Sequence, residues 1–200
     1  QGGAIVEVNA GPGLLMHFDG NLTDSYRDRA FSSTAVTYDT QAFAGSHSLG
    51  LTPTLSSTQV LGDFDFGVGD FTISFSVYRM GGATSVAGDV VRFLGPGGDL
   101  IWKVSHAYGE AIGTPSFWTW GASPVFVMSS FHVYPVGVWQ EVEIRRQSGV
   151  LTIKLDGATR YSGTFTLNIS AAAAGVTAGR IEVLVDSNNA LIDELRVVPS

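Results

Sequence analysis

Phe71-Thr72-Ile73-Ser74-Phe75-Ser76-Val77-Tyr78-Arg79 is the stretch that decides the fold. Phe71, Ile73, Phe75 and Val77 alternate with Thr72, Ser74, Ser76 and Tyr78, the period-two pattern of a half-buried antiparallel strand. Leu151, Ile153 and Leu155 repeat the pattern against Thr152 and Lys154, then run into Asp156-Gly157, a dipeptide suited to a hairpin turn with positive φ. Just upstream, Val142 and Ile144 point inward from a strand over Trp139 to Arg146. These two strands read as antiparallel neighbours, returning through Ala158 to Tyr161.

The same reading gives strands at 4–8, 14–18, 35–38, 48–51, 90–94, 100–104, 116–120, 125–128, 181–186 and 191–198. Gly95-Pro96-Gly97-Gly98-Asp99 is a plain turn, and Ala171 to Gly175 allows one helical turn at most. Many short strands between glycine turns predict an all-β fold of two packed antiparallel sheets or a barrel.

Composition agrees. The chain has 200 residues, 44% hydrophobic and 14% charged, with 25 glycines, which suits a single sandwich with a sizeable core. A net charge of -7 and no basic cluster beyond Arg145-Arg146 argue against nucleic acid, whose binding needs phosphate-neutralising cations. There is no cysteine, so thiol chemistry and disulfides are excluded. No apolar run reaches the length of a membrane span, so no membrane insertion is expected, nor a signal peptide within this numbering.

Three segments carry a resemblance. They are Leu14-Leu15-Met16-His17-Phe18-Asp19-Gly20 with Asn21-Leu22-Thr23-Asp24; Phe64-Asp65-Phe66-Gly67-Val68-Gly69-Asp70-Phe71-Thr72-Ile73; and Val138 to Ile144 through Leu151 to Gly157, completed by Leu191-Ile192-Asp193-Glu194-Leu195-Arg196-Val197. Their order and spacing resemble the laminin-G-like jelly-roll family of the concanavalin A-like superfamily. The resemblance implies a two-sheet antiparallel β-sandwich over 14–200, with residues 1–13 as an N-terminal arm or added edge strand. It implies that the first and last strands pair, and that loops or the concave face bind ligands, in some members with calcium. The wording of the first two segments is similar to versions found in bacteriophage structural proteins.

Asp193 alternates onto the same face as Leu191, Leu195 and Val197, where an ionised carboxylate needs donors or a cation. The resemblance brings Asp19 and Asp24 near it, so these three are candidate calcium ligands, with carbonyls and water completing the shell. Arg27 and Arg29 offer the alternative of salt bridges, and turn capping is a third. Trp118 and Trp120 share a strand face, forming either an aromatic platform for a glycan or partner, or core. Trp102 and Trp139 are assigned to the core, and His17 is expected to pack within the sandwich. Ala4, Val6 and Val8 form one face of an arm that could add to a neighbouring subunit as a strand.

Catalysis is not expected. Sandwich glucanases carry an E-x-D-x-E row that is missing here; Glu141 and Glu143 are its nearest approach, and Asp63 and Asp65 read as structural. The leading expectation is a non-enzymatic bacteriophage virion surface protein. It would decorate a capsid or tail, contact capsid or tail proteins and form a homo-oligomer. The alternative is an extracellular carbohydrate-binding module for a surface glycan, with no certain cofactor other than possible calcium dependence.

Overall fold

The computed structural model describes residues 13–19, 23–25, 29–31, 37–50, 54–59, 64–81, 88–108, 111–120, 125–130, 132–175, 179–184 and 190–199. Among these residues there is no helix, and every ladder between strands is antiparallel. The arm residues Ala4, Val6 and Val8 lie outside the described residues.

One sheet has eight strands. In spatial order they are β14 (Ala158–Thr164), β13 (Val150–Leu155), β12 (Trp139–Gln147), β7 (Phe71–Arg79), β16 (Ala190–Pro199), β5 (Ser48–Gly50) and β4 (Thr37–Asp39), while β1 (Leu14–Met16) also pairs with β16. The other has six: β11 (Val125–Met128), β10 (Ala111–Thr119), β9 (Leu100–Tyr108), β8 (Gly88–Leu94), β15 (Gly179–Leu184) and β6 (Thr54–Gln59). β2 (Thr23–Asp24) and β3 (Arg29–Ala30) make a small separate ladder. This is the expected two-sheet sandwich. The expected pairing of first and last strands is present, with Leu14 opposite Val197. The Asp156-Gly157 turn forms as read, both residues having positive φ and joining β13 directly to β14.

The face of β7 chosen by alternation is the core face: Phe71, Ile73, Phe75 and Val77 are buried. Phe66 stacks between Phe71 and Trp102, at ring separations of 4.5 and 5.1 Å, and Phe117 closes on both Phe71 and Trp102. The Trp102 indole N–H donates to the Phe64 carbonyl at 3.1 Å, so this large side chain is buried with its polar atom satisfied. Thus the Phe64-Asp65-Phe66 motif is a plug: its two rings enter the sandwich while the Asp65 carboxylate accepts the Ala171 N–H at 3.0 Å. Asp63 lies outside the described residues.

Arg146 is the unexpected core residue. It faces inward from β12 and is almost wholly buried, and among the described residues no carboxylate hydrogen-bonds to it. Its guanidinium donates instead to main-chain carbonyls of Phe66, Gly67, Gly69 and Leu167, and it lies over the Phe71 ring. The planar fork of arginine suits such a set of acceptors, and it ties the glycine turn after the plug to the segment beyond β14. Arg146→Lys keeps the charge and loses the fork. We expect it to lower unfolding free energy by about 2–4 kcal/mol, as read from urea denaturation; an unchanged midpoint would show that the carbonyls do not depend on the fork.

Candidate functional site

The outer face of the eight-stranded sheet carries a groove of about 560 Å3. Its floor is a product of strand register. Leu15, Arg196, Ser74, Glu143 and Lys154 stand opposite one another on β1, β16, β7, β12 and β13. Asp193, Ser76 and Glu141 form the next row, and Leu191, Tyr78 and Trp139 the one after. From β13 to β1 the groove crosses four strand spacings, about 19 Å.

A bulge in β16 shapes one side. The register with β7 shifts between Asp193 and Arg196, and Glu194 adopts φ 52°. Left-handed backbone at a non-glycine residue is costly and tends to mark functional sites. The extra residue overturns the simple alternation read from sequence. Asp193 shares the outer face with Leu191 and Arg196, while Leu195 and Val197 turn into the core. Glu194 projects to His17, whose Nδ1 lies 2.8 and 2.9 Å from the two carboxylate oxygens. His17 therefore lines the groove instead of packing within the sandwich. Across the floor, Lys154 and Glu143 form an ion pair at 2.8 Å.

Asp193 is fully buried although it lies on the outer face, and the main chain at Phe43 and Ala44 lies against it. One carboxylate oxygen accepts the N–H groups of Phe43 and Ala44 at 2.9 and 3.2 Å, and the other accepts the N–H of Glu194 at 2.9 Å. Burial pushes its carboxyl up to about 6 against the pull of these donors. Asp19 grips the same loop, accepting the N–H groups of Ser46 and His47 at 2.5 and 3.2 Å. The Ser46 amide holds its carboxyl below the usual range. Gly45 sits between with positive φ, and a Cβ there would collide with the Asp19 carboxylate.

The structure thus brings Asp19 and Asp193 to one loop, as acceptors for main-chain amides, the turn-capping alternative weighed for them. The Asp24 side chain lies outside the described residues, and its backbone pairs with Arg29. Among the described residues, no three His, Cys, Asp or Glu side chains are grouped to hold a metal.

Trp118 and Trp120 are on the outer face of the other sheet. Trp118 is half-buried against Phe126, with ring centroids 3.9 Å apart and the Lys103 ammonium 5.1 Å from the indole; Trp120 is 53% exposed. Neither is a core residue. Trp102 is core as expected, but Trp139 lies half-buried on the groove side, where Phe43 meets it edge-on. Phe43, His17, Glu194, Arg196 and Lys154 are groove residues that sequence reasoning did not select. For Glu194, Arg196 and Lys154 the polar positions between apolar ones were the only signal, and Phe43 had none.

No protein-family model matches the sequence, and no curated protein matches it significantly. Solved structures do match in fold. The binding domain of Paraclostridial Mosquitocidal Protein 1 gives a TM-score of 0.66 at 14% identity, covering 93% of this chain and 48% of that one. The chain therefore spans about half the length of that toxin domain. Domain 4 of AbnA, a GH43 extracellular arabinanase from Geobacillus stearothermophilus solved with arabinotriose, gives 0.64 at 17% identity and covers 94% of both chains. The carbohydrate esterase vb_24B_21 from the Shiga toxin-encoding bacteriophage phi24B gives 0.50 at 15% identity, over 85% of this chain and 90% of that one. The shared property is the fold, a two-sheet antiparallel β-sandwich.

Two buried groups should oppose each other in acid. Folding raises the Asp193 carboxyl from 3.8 to about 6, so the folded state binds the extra proton and stability falls as pH rises through that window. His106 is buried in the core beside Tyr134, and burial pushes its imidazole down to about 4, so stability falls as pH drops from 6.5 toward 4. Each window is worth about 3 kcal/mol at about 1.4 kcal/mol per pH unit, and in wild type the two nearly cancel. Asp193→Asn should steepen the loss of stability toward acid, while His106→Leu should reverse its sign. Urea denaturation across this range measures both; parallel profiles for all three proteins would refute the assignment.

Proposed function

We propose that the chain is a glycan-binding module that holds an extended sugar chain in the groove of the eight-stranded sheet and performs no bond cleavage. The observation carrying this reading is the strand-crossing row of Ser74, Glu143, Lys154 and Arg196, flanked by Ser76, Glu141 and the His17–Glu194 pair. Hydroxyl-rich ligands need many acceptors and donors fixed on a rigid surface, and side chains rooted in a sheet supply them at little cost in ordering. Glu143 is engaged by Lys154 and Glu194 by His17, an arrangement suited to hydrogen-bonding neutral hydroxyls rather than to a free acid and nucleophile pair. The fold likeness to a domain solved with arabinotriose supports the same reading.

A virion surface is the setting we propose for this module, on a capsid or tail and in homo-oligomeric form; an extracellular setting is its alternative. The segment resemblance and the fold likeness to a bacteriophage protein support the virion setting. The aromatic platform at Trp118 and Trp120 is then available for protein contacts. No calcium is required by this reading, because Asp19 and Asp193 already accept amide hydrogen bonds.

Isothermal titration with soluble linear polysaccharides tests the groove. Glu141→Ala and the double substitution Glu194→Ala with His17→Ala should each weaken binding about tenfold or more, the loss expected when charged hydrogen-bonding groups are removed. Trp118→Ala and EDTA should leave it unchanged. Binding that follows Trp118 instead of Glu141 would move the site to the opposite sheet and end this proposal.

A further inference from the structure

Building on the glycan reading, we infer that Phe43 is the groove's aromatic anchor and that the ligand is an uncharged linear glycan, stacked by a sugar C–H face on Phe43. Single exposed apolar side chains are ordinary on protein surfaces, and Val68, Val136 and Val138 are of that kind. Phe43 differs in two respects. It lines the groove although 43% exposed, and it is held in place.

Its own N–H and that of Ala44 are bound by the buried Asp193 carboxylate. Its ring meets Trp139 edge-on at 5.9 Å, and Trp139 packs in turn on Tyr78 at 5.3 Å. Asp19 fixes the loop three residues further on. An exposed ring with so little freedom left loses little entropy on contact, the condition for a binding hot spot.

The chemistry beside the ring selects the ligand class. One apolar face adjoining a row of acceptors and donors matches a sugar, which offers a C–H face and a rim of hydroxyls. Within the groove Glu141, Glu143 and Glu194 stand against Lys154 and Arg196, so carboxylates exceed permanent cations, on a chain of net charge -7. A sulfated or uronic-acid chain would meet net repulsion, and a neutral one would not. The groove crosses four strand spacings, so affinity should rise with oligosaccharide length until the crossing is filled.

The test uses the full chain and isothermal titration with linear arabinan, mixed-linkage β-glucan and xylan as neutral probes, and polygalacturonate and dextran sulfate as anionic ones. At least one neutral probe should bind and the anionic probes should not. Phe43→Ala should weaken that binding about fivefold to tenfold, with Phe43→Tyr within about twofold of wild type and both variants melting like wild type. Preference for a polyanion, or full binding by Phe43→Ala while Glu141→Ala fails, would overturn the inference and leave the glycan groove standing. No binding of any probe, or binding lost only on Trp118→Ala, would remove the groove reading itself.

Discussion

A carboxylate buried on the outside of a sheet is the constraint from which the groove follows. Asp193 stands on the outer face of β16, where it would be solvated if nothing covered it. Covered, it requires donors, and the donors are the amides of the segment that covers it. Loop and carboxylate therefore specify each other. The loop excludes water from Asp193, and Asp193 supplies the acceptor that a surface loop would otherwise take from water. One consequence is a wall at the end of the sheet. Another is the bulge, because the main chain turns back at Glu194 to give Asp193 a third donor.

Arg146 solves the complementary problem at the plug. There a run with several glycines leaves carbonyls pointing into the sandwich with no strand partner. One guanidinium gathers them. The two devices are of opposite charge and similar logic: a buried ion whose hydrogen-bond partners among the described residues are main-chain dipoles. Side-chain ion pairs could rearrange and leave the backbone where it is. Dipoles belong to the backbone, so these ions fix the course of the chain.

Strands were legible in the sequence wherever one face is core and the other polar, as in β7, β12 and β13, because burial imposes the period-two pattern directly. The polar edge strand Thr54–Gln59 was not legible, since Thr-Leu-Ser-Ser-Thr-Gln has a single large apolar residue to reveal its phase. The phase of β16 was misread for a physical reason. A bulge adds one residue to one strand only, and periodicity carries no mark of it. From that error followed the placement of Asp193 among Leu195 and Val197, and the missed partnership of Glu194 with His17, which are 177 residues apart in sequence. Phe43 was invisible for a similar reason, as its place in the groove depends on a loop conformation set by two distant aspartates. The fold was thus readable from local pattern, while the candidate site was assembled by departures from it.

The two outer faces show what such departures accomplish. On the six-stranded sheet, Asp89 is buried but draws on Ser105, Lys103 and Arg92; although burial pushes its carboxyl up, these partners outweigh it and hold it low. Lys103 is engaged there and also lies over Trp118, so that face spends its polar groups on itself and presents aromatic surface. On the eight-stranded sheet the internal demand is met at one end, by Asp193 and the loop above it. The serines and carboxylates along the rest of the groove are not needed to bury anything. The Glu143–Lys154 and His17–Glu194 pairs contribute a little to the sheet, about 0.2–1 kcal/mol each, and leave the rest of the row open. The polar row on the groove floor, walled by a loop that two aspartates hold, is the surface the proposed glycan binding would use.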